Sequence, residues 1–496
     1  MRGKNNQLKR DLCYSFDGFF WFFLSKGIFI MTLIKSLFSD GQELINKEVS
    51  LFGWARSVRR SKNVAFLALN DGSTQGTIQV VCDENLANFE EVSGKLAGTC
   101  FSVDGVVVKS MGKGQSIEIQ AKKVVVEGDV SSEGYPLQKK ATSLEFLREI
   151  PHLRARTNTF GAVFRLRHSI SFATHQFFHQ ENFYYMNTPI VTASDCEGAG
   201  ELFRVTTLDL DKLADGEKKK VDYNFDFYKK PAYLTVSGQL NAEAMAMGLG
   251  RVYTFGPTFR AENSHTSRHL SEFWMVEPEA AGFDLNDNMD LAENYLKYLI
   301  NFILKENPEE LAFLAQHYQK DLVESLEKVR SSNFVRLTYT EAISILEEAM
   351  KNKKVKFEYK VAYGTDLQSE HERYLTDVHF KGPVFVTDYP KSFKAFYMKL
   401  NDDNETVRAM DLLIPGIGEL IGGSQREDNE EKLLARMKDA HLDPETYDWY
   451  LQLRRFGSIK HSGFGMGLER MIMYVTGMSN IRDVIAFPRF PGSAEF

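Results

Sequence analysis

The 496-residue sequence contains little cysteine. Its four cysteines, Cys13, Cys82, Cys100 and Cys196, lie far apart in the chain, and no two of them form a Cys-x-x-Cys pair. Because zinc sites and disulfide frameworks both need closely patterned cysteines, the sequence indicates neither of them. This cysteine usage favours a reducing compartment, and we expect a cytoplasmic protein.

Long apolar runs are also absent. The aromatic run from Phe19 to Leu24 follows a basic start, but it is far shorter than the ~20 apolar residues of a membrane span. No cleavage site of small residues follows it, as a secretory signal peptide would require. We therefore expect no membrane partner. We interpret residues 1–31 as an N-terminal extension outside the folded domains, and we favour Met31 as the start of translation.

Neither sign of charge dominates the sequence. The chain has 60 lysine and arginine residues against 67 aspartate and glutamate residues, which gives a formal net charge of -7. This balance does not point to a nucleic-acid-binding protein, but a local basic groove can lie on an acidic protein, so that class stays open. With 43% hydrophobic and 26% charged residues, the composition is typical of a soluble globular protein, and the length suits two or three domains.

Five segments rich in β-branched residues fill residues 44–130. Turn clusters such as DGSTQG and KSMGKGQ separate them, and a helix-like break lies between Asn85 and Leu96. This pattern predicts a five-stranded β-barrel of the OB type, a fold that binds single-stranded nucleic acid on aromatic and basic side chains. Phe66, on the second strand, is a candidate stacking residue, although a position in the barrel core would explain it equally well.

The segment from Phe255 to Ala281 predicts an antiparallel hairpin with a long polar connection. Its charged and aromatic candidates are Arg260, Glu262, Arg268, His269 and Phe273. We expect the first two to alternate on one face of the first strand. An arginine can hold two phosphate oxygens at once, and an aromatic ring can stack on a base, so the segment indicates nucleotide binding. From these residues alone, a merely solvated loop is an equal alternative.

Two further stretches combine polar residues with glycines. In LTVSGQLNAEAMAMGLG, Ser237 can cap a helix, and Gln239 and Glu243 lie one helical turn apart on one face. In DLLIPGIGELIGGSQR, Asp411 and Glu419 supply oxygen ligands that suit a hard cation such as Mg2+. A pair of carboxylates is weak grounds for a metal site when it stands alone.

The FRAE and RHLSEF motifs of the hairpin, together with the GFGMGLER run at Gly463–Arg470, resemble motifs 2 and 3 of the class II aminoacyl-tRNA synthetases. The N-terminal strands resemble the anticodon-binding barrel of the class IIb subgroup, which serves aspartate, asparagine and lysine. The resemblance implies an α+β fold in three parts. An N-terminal five-stranded OB-type β-barrel at 44–130 is followed by a linker at 131–155 and by a class II synthetase catalytic domain at 156–496, an antiparallel sheet flanked by helices.

A dimer is a further implication of the resemblance. The predicted helix at Phe164–Gln180 and the predicted strand at Phe183–Val191 resemble motif 1, which builds the subunit interface in this family. From the residues alone, the helix would be an ordinary amphipathic helix of the core. The resemblance implies a homodimer.

The resemblance also implies roles for single residues. The catalytic residues would be Arg260 and Arg470. The ATP-binding residues would be Arg260, Glu262, Arg268, His269, Phe273 and Arg470. The amino-acid-binding residues would be Glu197, Ser237, Gln239, Glu243, Glu277 and Arg426. Asp411 and Glu419 would bind Mg2+, and the tRNA anticodon would contact Phe66, Gln79 and Glu118.

Glu243 indicates which amino acid the enzyme would use. Aspartate enzymes of the family carry a lysine at the matching place, which pairs with the substrate carboxylate. A glutamate would instead accept hydrogen bonds from an amide NH2 and repel a carboxylate. The resemblance therefore implies an enzyme that uses ATP to join L-asparagine to tRNA(Asn) through an adenylate. An aspartate-specific enzyme and a catalytically silent RNA-binding paralogue are the alternatives.

Overall fold

The computed structural model describes residues 31–112, 114–130, 134–137, 142–194, 196, 202–214 and 221–496. The chain divides into two compact units, the first ending at Gly161 and the second running from Ala162 to Phe496. Glu197, which the resemblance places at the substrate, lies outside the described residues. So do residues 1–30 of the predicted extension and part of the predicted linker.

The first unit is built on a closed five-stranded barrel with the strand order β1-β2-β3-β5-β4. Its strands are β1 (Glu48–Arg60), β2 (Val64–Asn70), β3 (Ile78–Asp83), β4 (Cys100–Lys109) and β5 (Ile117–Gly128). The helices up to the unit boundary are α1 (Ile34–Asp40), α2 (Phe89–Ser93), α3 (Leu144–Glu149), α4 (Pro151–Arg154) and the start of α5 (Asn158–Gln180). The predicted OB-type barrel is confirmed.

Alternation along each strand decides which side chains fill the barrel. On β2, Ala65, Leu67 and Leu69 are fully buried, whereas Phe66 between them is half-buried on the outer face. This follows from the two-residue period of a strand, which sends successive side chains to opposite faces. The alternative that Phe66 belongs to the barrel core is therefore wrong.

The second unit is organised around an eight-stranded sheet, with the order β12-β13-β14-β15-β16-β11-β10-β6. Its strands are β6 (Tyr184–Tyr185), β10 (Arg251–Phe259), β11 (Glu272–Ala281), β12 (Val335–Thr338), β13 (Val384–Pro390), β14 (Thr406–Ile414), β15 (Gly418–Gln425) and β16 (His461–Gly467). A small sheet holds β7 (Val191–Thr192), β8 (Arg204–Val205) and β9 (Ala232–Leu234). The large sheet is antiparallel except for the pairs β12–β13 and β10–β6.

Helices flank the large sheet, as predicted. Those after α5 are α6 (Leu210–Ala214), α7 (Gln239–Leu249), α8 (Leu285–Glu306), α9 (Pro308–His317), α10 (Leu322–Ser331), α11 (Tyr339–Lys351), α12 (Ser369–Arg373), α13 (Glu430–Asp439), α14 (Asp448–Arg455) and α15 (Leu468–Thr476). Helix α8 packs on β14, β15 and β16, and Tyr295 and Leu299 on its apolar face are fully buried there. Among the residues that the structure describes, no helix is both long enough and apolar enough to cross a bilayer.

The predicted hairpin is present, with one correction. Strands β10 and β11 pair antiparallel from Arg251–Ala280 to Phe259–Glu272. The first strand ends at Phe259, so Arg260 and Glu262 do not alternate on it. The Arg260 amide still donates to the Ser271 carbonyl at 3.0 Å, and beyond that point the two chains separate into the polar connection.

The motif 1 region also departs from the prediction. Helix α5 is longer than expected and begins at Asn158. The predicted strand at Phe183–Val191 contains only two short strand segments, β6 and the start of β7, because neighbouring backbone pairs it at Tyr184–Tyr185 and again only from Val191. Strand β6 forms one edge of the large sheet.

Candidate active site

A cavity of about 1210 Å³ opens between β11, β14, β15, β16, the start of α7 and the segment that follows β10. Eight of the residues that the sequence singled out lie in its wall, namely Ser237, Gln239, Arg260, Glu262, Glu277, Asp411, Glu419 and Arg426. These residues come from three separate stretches of the chain. The fold therefore brings together groups that the sequence could associate only by resemblance.

A smaller cavity of about 190 Å³ adjoins the first and shares Arg260, Glu262 and Glu419 with it. Its wall also holds the remaining residues expected at ATP, which are Arg268, His269, Phe273 and Arg470. The Arg260 guanidinium lies 5.4 Å from the centre of the Phe273 ring, in a cation–π contact. The smaller cavity thus combines one aromatic face with several cationic groups.

Glu277 forms one end of the larger cavity. It accepts hydrogen bonds from the Ser237 hydroxyl, from the Gly238 amide at 3.1 Å and from the Thr254 hydroxyl at 3.0 Å. Ser237 is not the N-cap residue of α7, because Gly238 occupies that position, but its hydroxyl accepts from the Gln239 amide at 3.1 Å. These bonds hold a carboxylate rigidly in the cavity wall.

Glu243 does not line the cavity. Its side chain is fully buried below Gln239 and accepts from the Gln239 side-chain amide at 3.0 Å. Its other oxygen accepts from Tyr450 Oη at 2.7 Å and Arg454 Nη2 at 2.8 Å. The geometry does not support direct contact between Glu243 and the substrate amide, because Gln239 lines the cavity and Glu243 lies behind it.

The carboxylate that does face the side-chain end of the cavity is Glu279, which the sequence interpretation missed. Glu279 Oε2 accepts from Arg426 Nη2 at 2.9 Å, and the Arg426 Nη1 donates to the Ser424 hydroxyl at 2.9 Å. Glu279 lies two residues after Glu277 on β11. The two-residue strand period, which puts both side chains on one face, is the signal that could have found it.

The two buried carboxylates have opposite pKa shifts. Burial would raise the pKa of Glu243, but the charge of Arg454 and the contact with His461 reverse that effect and leave the pKa well below its ordinary value. Burial raises the pKa of Glu279, although Arg426 opposes the change, and the negative charge of Glu243 adds to it. Both carboxylates keep a guanidinium within 3 Å.

Oxygen atoms of Glu243 and Glu279 lie within 4.8 Å of one another and of a His461 ring nitrogen, the spacing of a metal site. Arg426 and Arg454 already pair with these carboxylates. A cation would have to displace two buried ion pairs. We therefore interpret the group as an ion-pair network that supports the cavity.

The predicted metal ligands lie on neighbouring strands. Asp411 on β14 pairs in register with Gly422 on β15, and Glu419 lies three residues before that glycine. A Cβ at Gly422 would come within 2.7 Å of a Glu419 carboxylate oxygen and 3.6 Å of an Asp411 carboxylate oxygen. The glycine thus leaves a space between two carboxylates, and their hard oxygen atoms fit Mg2+.

Glu372 is a third acidic residue beside this pair, and the sequence interpretation assigned it no role. Its carboxylate accepts from the Glu419 amide at 3.2 Å. Burial, reinforced by the nearby charge of Glu419, raises the pKa of Glu372 to about 7. Burial and the charge of Glu419 also raise the pKa of Asp411, although Lys394, whose ammonium lies 2.7 Å away, opposes this shift. A divalent cation would neutralise the negative charges of these neighbouring carboxylates.

Two arginines, Arg268 of motif 2 and Arg470 of motif 3, bond to the backbone around the β14–β15 turn. Arg470 Nη1 donates to the Glu419 carbonyl at 3.0 Å, and Arg268 Nη1 donates to the Ile417 carbonyl at 3.0 Å. His269 Nδ1 lies 2.6 Å from the Thr266 hydroxyl. Burial lowers the pKa of His269. The connection of the hairpin is therefore an ordered structure rather than a merely solvated loop.

The barrel carries a second group of predicted residues on its outer face. Phe66 pairs in register with Arg59, whose Nη2 lies 3.5 Å from Gln79 Oε1. The Gln79 side-chain amide donates to Glu118 Oε2 at 3.0 Å. The three residues expected at the anticodon thus form one connected patch with a basic neighbour.

Comparison with known proteins decides the family. The model for class II tRNA synthetases of the D, K and N group matches residues 143–491, and the model for an OB-fold nucleic acid binding domain matches residues 49–127. The asparagine–tRNA ligase of Cytophaga hutchinsonii is 57% identical over 93% of this chain and 99% of its own length. The chain belongs to the asparagine–tRNA ligase family.

Other members of the family give the same result. The asparagine–tRNA ligase of Clostridium tetani is 55% identical over 93% of this chain and 99% of its own length. The crystal structure of asparaginyl-tRNA synthetase from Pyrococcus horikoshii complexed with asparaginyl-adenylate superposes with a TM-score of 0.81 at 33% identity, covering 94% of this chain and 99% of that one. These relatives favour the asparagine interpretation over the aspartate alternative.

Proposed function

We propose that the protein attaches L-asparagine to tRNA(Asn) in two steps. The carboxylate of asparagine attacks the α-phosphorus of ATP, which forms asparaginyl-adenylate and releases pyrophosphate. A hydroxyl of the terminal tRNA ribose then attacks the adenylate carbonyl, and AMP leaves. The observation that supports this proposal is that a single cavity is lined by Glu277, the Arg426–Glu279 pair and Arg260.

We place this activity in the cytoplasm, where the free thiols of Cys82, Cys100 and Cys196 would stay reduced.

The larger cavity suits asparagine at both ends. Glu277 and the side-chain oxygen of Gln239 are acceptors for the α-ammonium group, since the Gln239 nitrogen already donates to Glu243. At the other end, Arg426 would donate to the side-chain carbonyl, and Glu279 would accept from the side-chain NH2. A site that pairs one donor with one acceptor matches an amide better than a carboxylate, which offers only acceptors.

The nucleotide would occupy the smaller cavity. Phe273 would stack on adenine and Glu262 would face it, while Arg268, His269 and Arg470 would hold the outer phosphates. Arg260 lies in both cavities and would stabilise the charge that develops on the α-phosphate. The reaction needs no covalent nucleophile from the protein, because positioning and charge stabilisation do the work.

Asp411 and Glu419 would hold Mg2+ with ATP. The ion would supply Lewis-acid stabilisation of phosphate charge. Glu372, which bonds to the Glu419 backbone, would fix the orientation of that ligand strand. Arg470 bonds to the Glu419 carbonyl, so the phosphate-binding arginine and the metal-binding strand are held together.

Aminoacylation of a tRNA(Asn) transcript with radiolabelled asparagine tests the proposed function. We expect asparaginyl-tRNA to accumulate only when ATP and Mg2+ are both present. A tRNA(Asp) transcript that shares the acceptor end is the control and should stay uncharged. Charging with aspartate rather than asparagine would contradict the proposal, and failure to charge with either amino acid would favour the RNA-binding paralogue.

We propose that the outer face of the barrel reads the anticodon. Phe66 would stack on one base, and Gln79 and Glu118 would hydrogen-bond to base edges, as expected for splayed RNA loops. The hydrogen bond from Gln79 to Glu118 fixes the orientation of the Gln79 side-chain amide before RNA binds. The positions of its donor and acceptor are therefore set in advance for one kind of base edge.

Phe66→Ala should raise the KM for tRNA(Asn) about tenfold to a hundredfold, because base–aromatic stacking contributes about 1–3 kcal/mol per base. Pyrophosphate exchange should be unchanged, since that reaction needs no tRNA. Phe52→Ala is the matched control: Phe52 is also half-buried on β1, seven residues from Arg59 along the strand. An equal rise in KM for both variants would contradict the assignment of Phe66.

We also propose that the protein is a homodimer through the surface around β6. Tyr184 and Tyr185 are exposed on this edge strand, and Tyr185 lines a cavity of about 600 Å³ together with the exposed Trp274 of β11. Exposed aromatic groups beside an unpaired strand edge favour a partner surface, and a second copy would offer the same edge.

In sedimentation experiments the protein should have twice the mass of the 56.6 kDa chain. Tyr184→Asp should give monomers, because it places a charge in the apolar surface at a side chain that is 59% exposed. Phe456→Asp changes an aromatic residue that directly follows α14 and is 72% exposed, and it should leave the dimer intact. A wild-type chain that sediments as a monomer would contradict the proposal.

A further inference from the structure

A buried ion-pair network lies directly beneath the amino-acid end of the larger cavity. Its centre is Glu243 on α7, and its cation is Arg454 on α14; both side chains are 0% exposed. Arg454 also donates from Nε to the Glu427 carbonyl at 2.8 Å and from Nη2 to Tyr450 Oη at 2.9 Å. His461 Nε2 lies 3.0 Å from the same Glu243 oxygen. The roles proposed for the cavity residues do not include Arg454 or His461.

The network touches the cavity wall at two points. Glu243 Oε1 accepts from the Gln239 side-chain amide at 3.0 Å, and it lies 4.0 Å from Arg426 Nε. Gln239 and Arg426 both line the cavity, whereas Glu243 and Arg454 lie behind them. Glu243 therefore lies between the residues that line the cavity and the buried guanidinium of Arg454.

The charges of this region are closely matched. Two guanidinium groups, Arg426 and Arg454, are opposed by two carboxylates, Glu279 and Glu243, and each carboxylate has a guanidinium nitrogen within 3 Å. Water cannot screen these charges, because all four side chains are almost completely buried. If Glu243 lost its charge, Arg454 would have no carboxylate partner among the described residues, and Arg426 would keep only Glu279 there.

The balance between these buried positive and negative charges affects how the pocket would distinguish asparagine from aspartate. Asparagine and aspartate have the same shape, but aspartate brings one additional negative charge into the pocket. A pocket with surplus positive charge would accept that carboxylate at Arg426, whereas a balanced pocket would not. Discrimination therefore depends on charge behind the pocket as well as on groups that touch the substrate.

We infer that Glu243 and Arg454 are positioning and specificity residues that act through charge, without contact with the substrate. Glu243 cancels the charge of Arg454, orients the Gln239 amide and keeps Arg426 from attracting a carboxylate. This inference rests on the proposed asparagine-activating function. It assigns rejection of aspartate partly to residues behind the cavity wall.

Glu243→Gln tests the inference, because glutamine has nearly the same shape but no charge. We expect the ratio of kcat/KM for asparagine to that for aspartate, measured by pyrophosphate exchange, to fall about tenfold to a hundredfold. A reversed Gln239 amide would weaken binding of the α-ammonium group, but both substrates share that group. The ratio therefore isolates the charge effect from a general loss of binding.

Tyr450→Phe is the matched control. It removes the 2.7 Å hydrogen bond to the same Glu243 oxygen and changes no charge. We expect its asparagine-to-aspartate ratio to stay within about threefold of the wild type, even if stability falls. An equal fall of the ratio in both variants would mean that the network acts only by holding the fold, and would overturn the inference.

Removing both charges gives a second test. Glu243→Gln combined with Arg454→Met restores the charge balance, so the double variant should recover most of the wild-type ratio. A ratio as low as in Glu243→Gln alone would overturn the inference.

Circular dichroism and thermal unfolding would show that each variant is folded. If the wild type activates no asparagine, the proposed function fails; if it does and Glu243→Gln still rejects aspartate, only this inference fails.

Discussion

Replacing Arg260 with alanine should lower the rate of asparaginyl-adenylate formation about a hundredfold to a thousandfold, because a preorganised group at the developing charge contributes that much to catalysis. Arg260 lies where the two cavities meet, against the Phe273 ring. The substitution would remove the cation that we propose for the α-phosphate, and it would leave the amino-acid end of the larger cavity unchanged. Pyrophosphate exchange at saturating asparagine and ATP measures the effect.

Arg251→Ala is the control for this prediction. Arg251 begins β10, the strand that Arg260 follows, and its guanidinium lies 4.9 Å from the centre of the Phe283 ring and donates to the Glu181 carbonyl. It is an aromatic-stacked arginine outside both cavities, and exchange should stay near the wild-type rate. If Arg260→Ala exchanged at the wild-type rate too, the role of Arg260 would be wrong.

Glu419→Gln should lower exchange about a hundredfold at a low Mg2+ concentration, because it would remove one of the two anionic ligands that we propose for the ion, and a metal supplies several kcal/mol of charge stabilisation. Raising the Mg2+ concentration should recover part of the rate, since the amide oxygen can still coordinate. The measurement is exchange as a function of Mg2+ concentration, and the half-maximal concentration should rise.

The control for the metal prediction is Glu405→Gln. Glu405 is an exposed carboxylate just before β14, and its only described ion pair is a loose one with Lys391 at 3.5 Å. Its Mg2+ dependence should match that of the wild type. A Glu419→Gln variant with an unchanged Mg2+ dependence would contradict the assigned ligand, whatever its overall rate.

Much of the fold could be predicted from the spacing of apolar residues along short segments of the sequence. The two-residue alternation of β2, with Leu67 and Leu69 inside the barrel, is visible in the sequence because a strand exposes one face to the core. The pairing of β10 with β11 is also a short-range feature, since one connection joins the two strands. The bounds were less accurate where pairing partners are distant, as at Tyr184–Tyr185.

The spacing of residues in the sequence could not predict whether a candidate side chain lines the cavity or is buried behind it. Gln239 and Glu243 lie on one helix face, and that much is correct, but only the packing of Tyr450 and Arg454 from α14 buries the glutamate. Those residues are more than 200 positions away. The same holds for Glu372, whose place beside Glu419 depends on a contact between distant segments.

Pyrophosphate exchange with asparagine, aspartate and lysine, each with ATP and Mg2+, tests the central claim most directly. The pairing of the Arg426 donor with the Glu279 acceptor in one buried pocket predicts exchange with asparagine alone. Exchange driven by aspartate would keep the fold and the nucleotide site but contradict the account of the pocket. No exchange with any of the three amino acids would contradict the proposed catalysis itself.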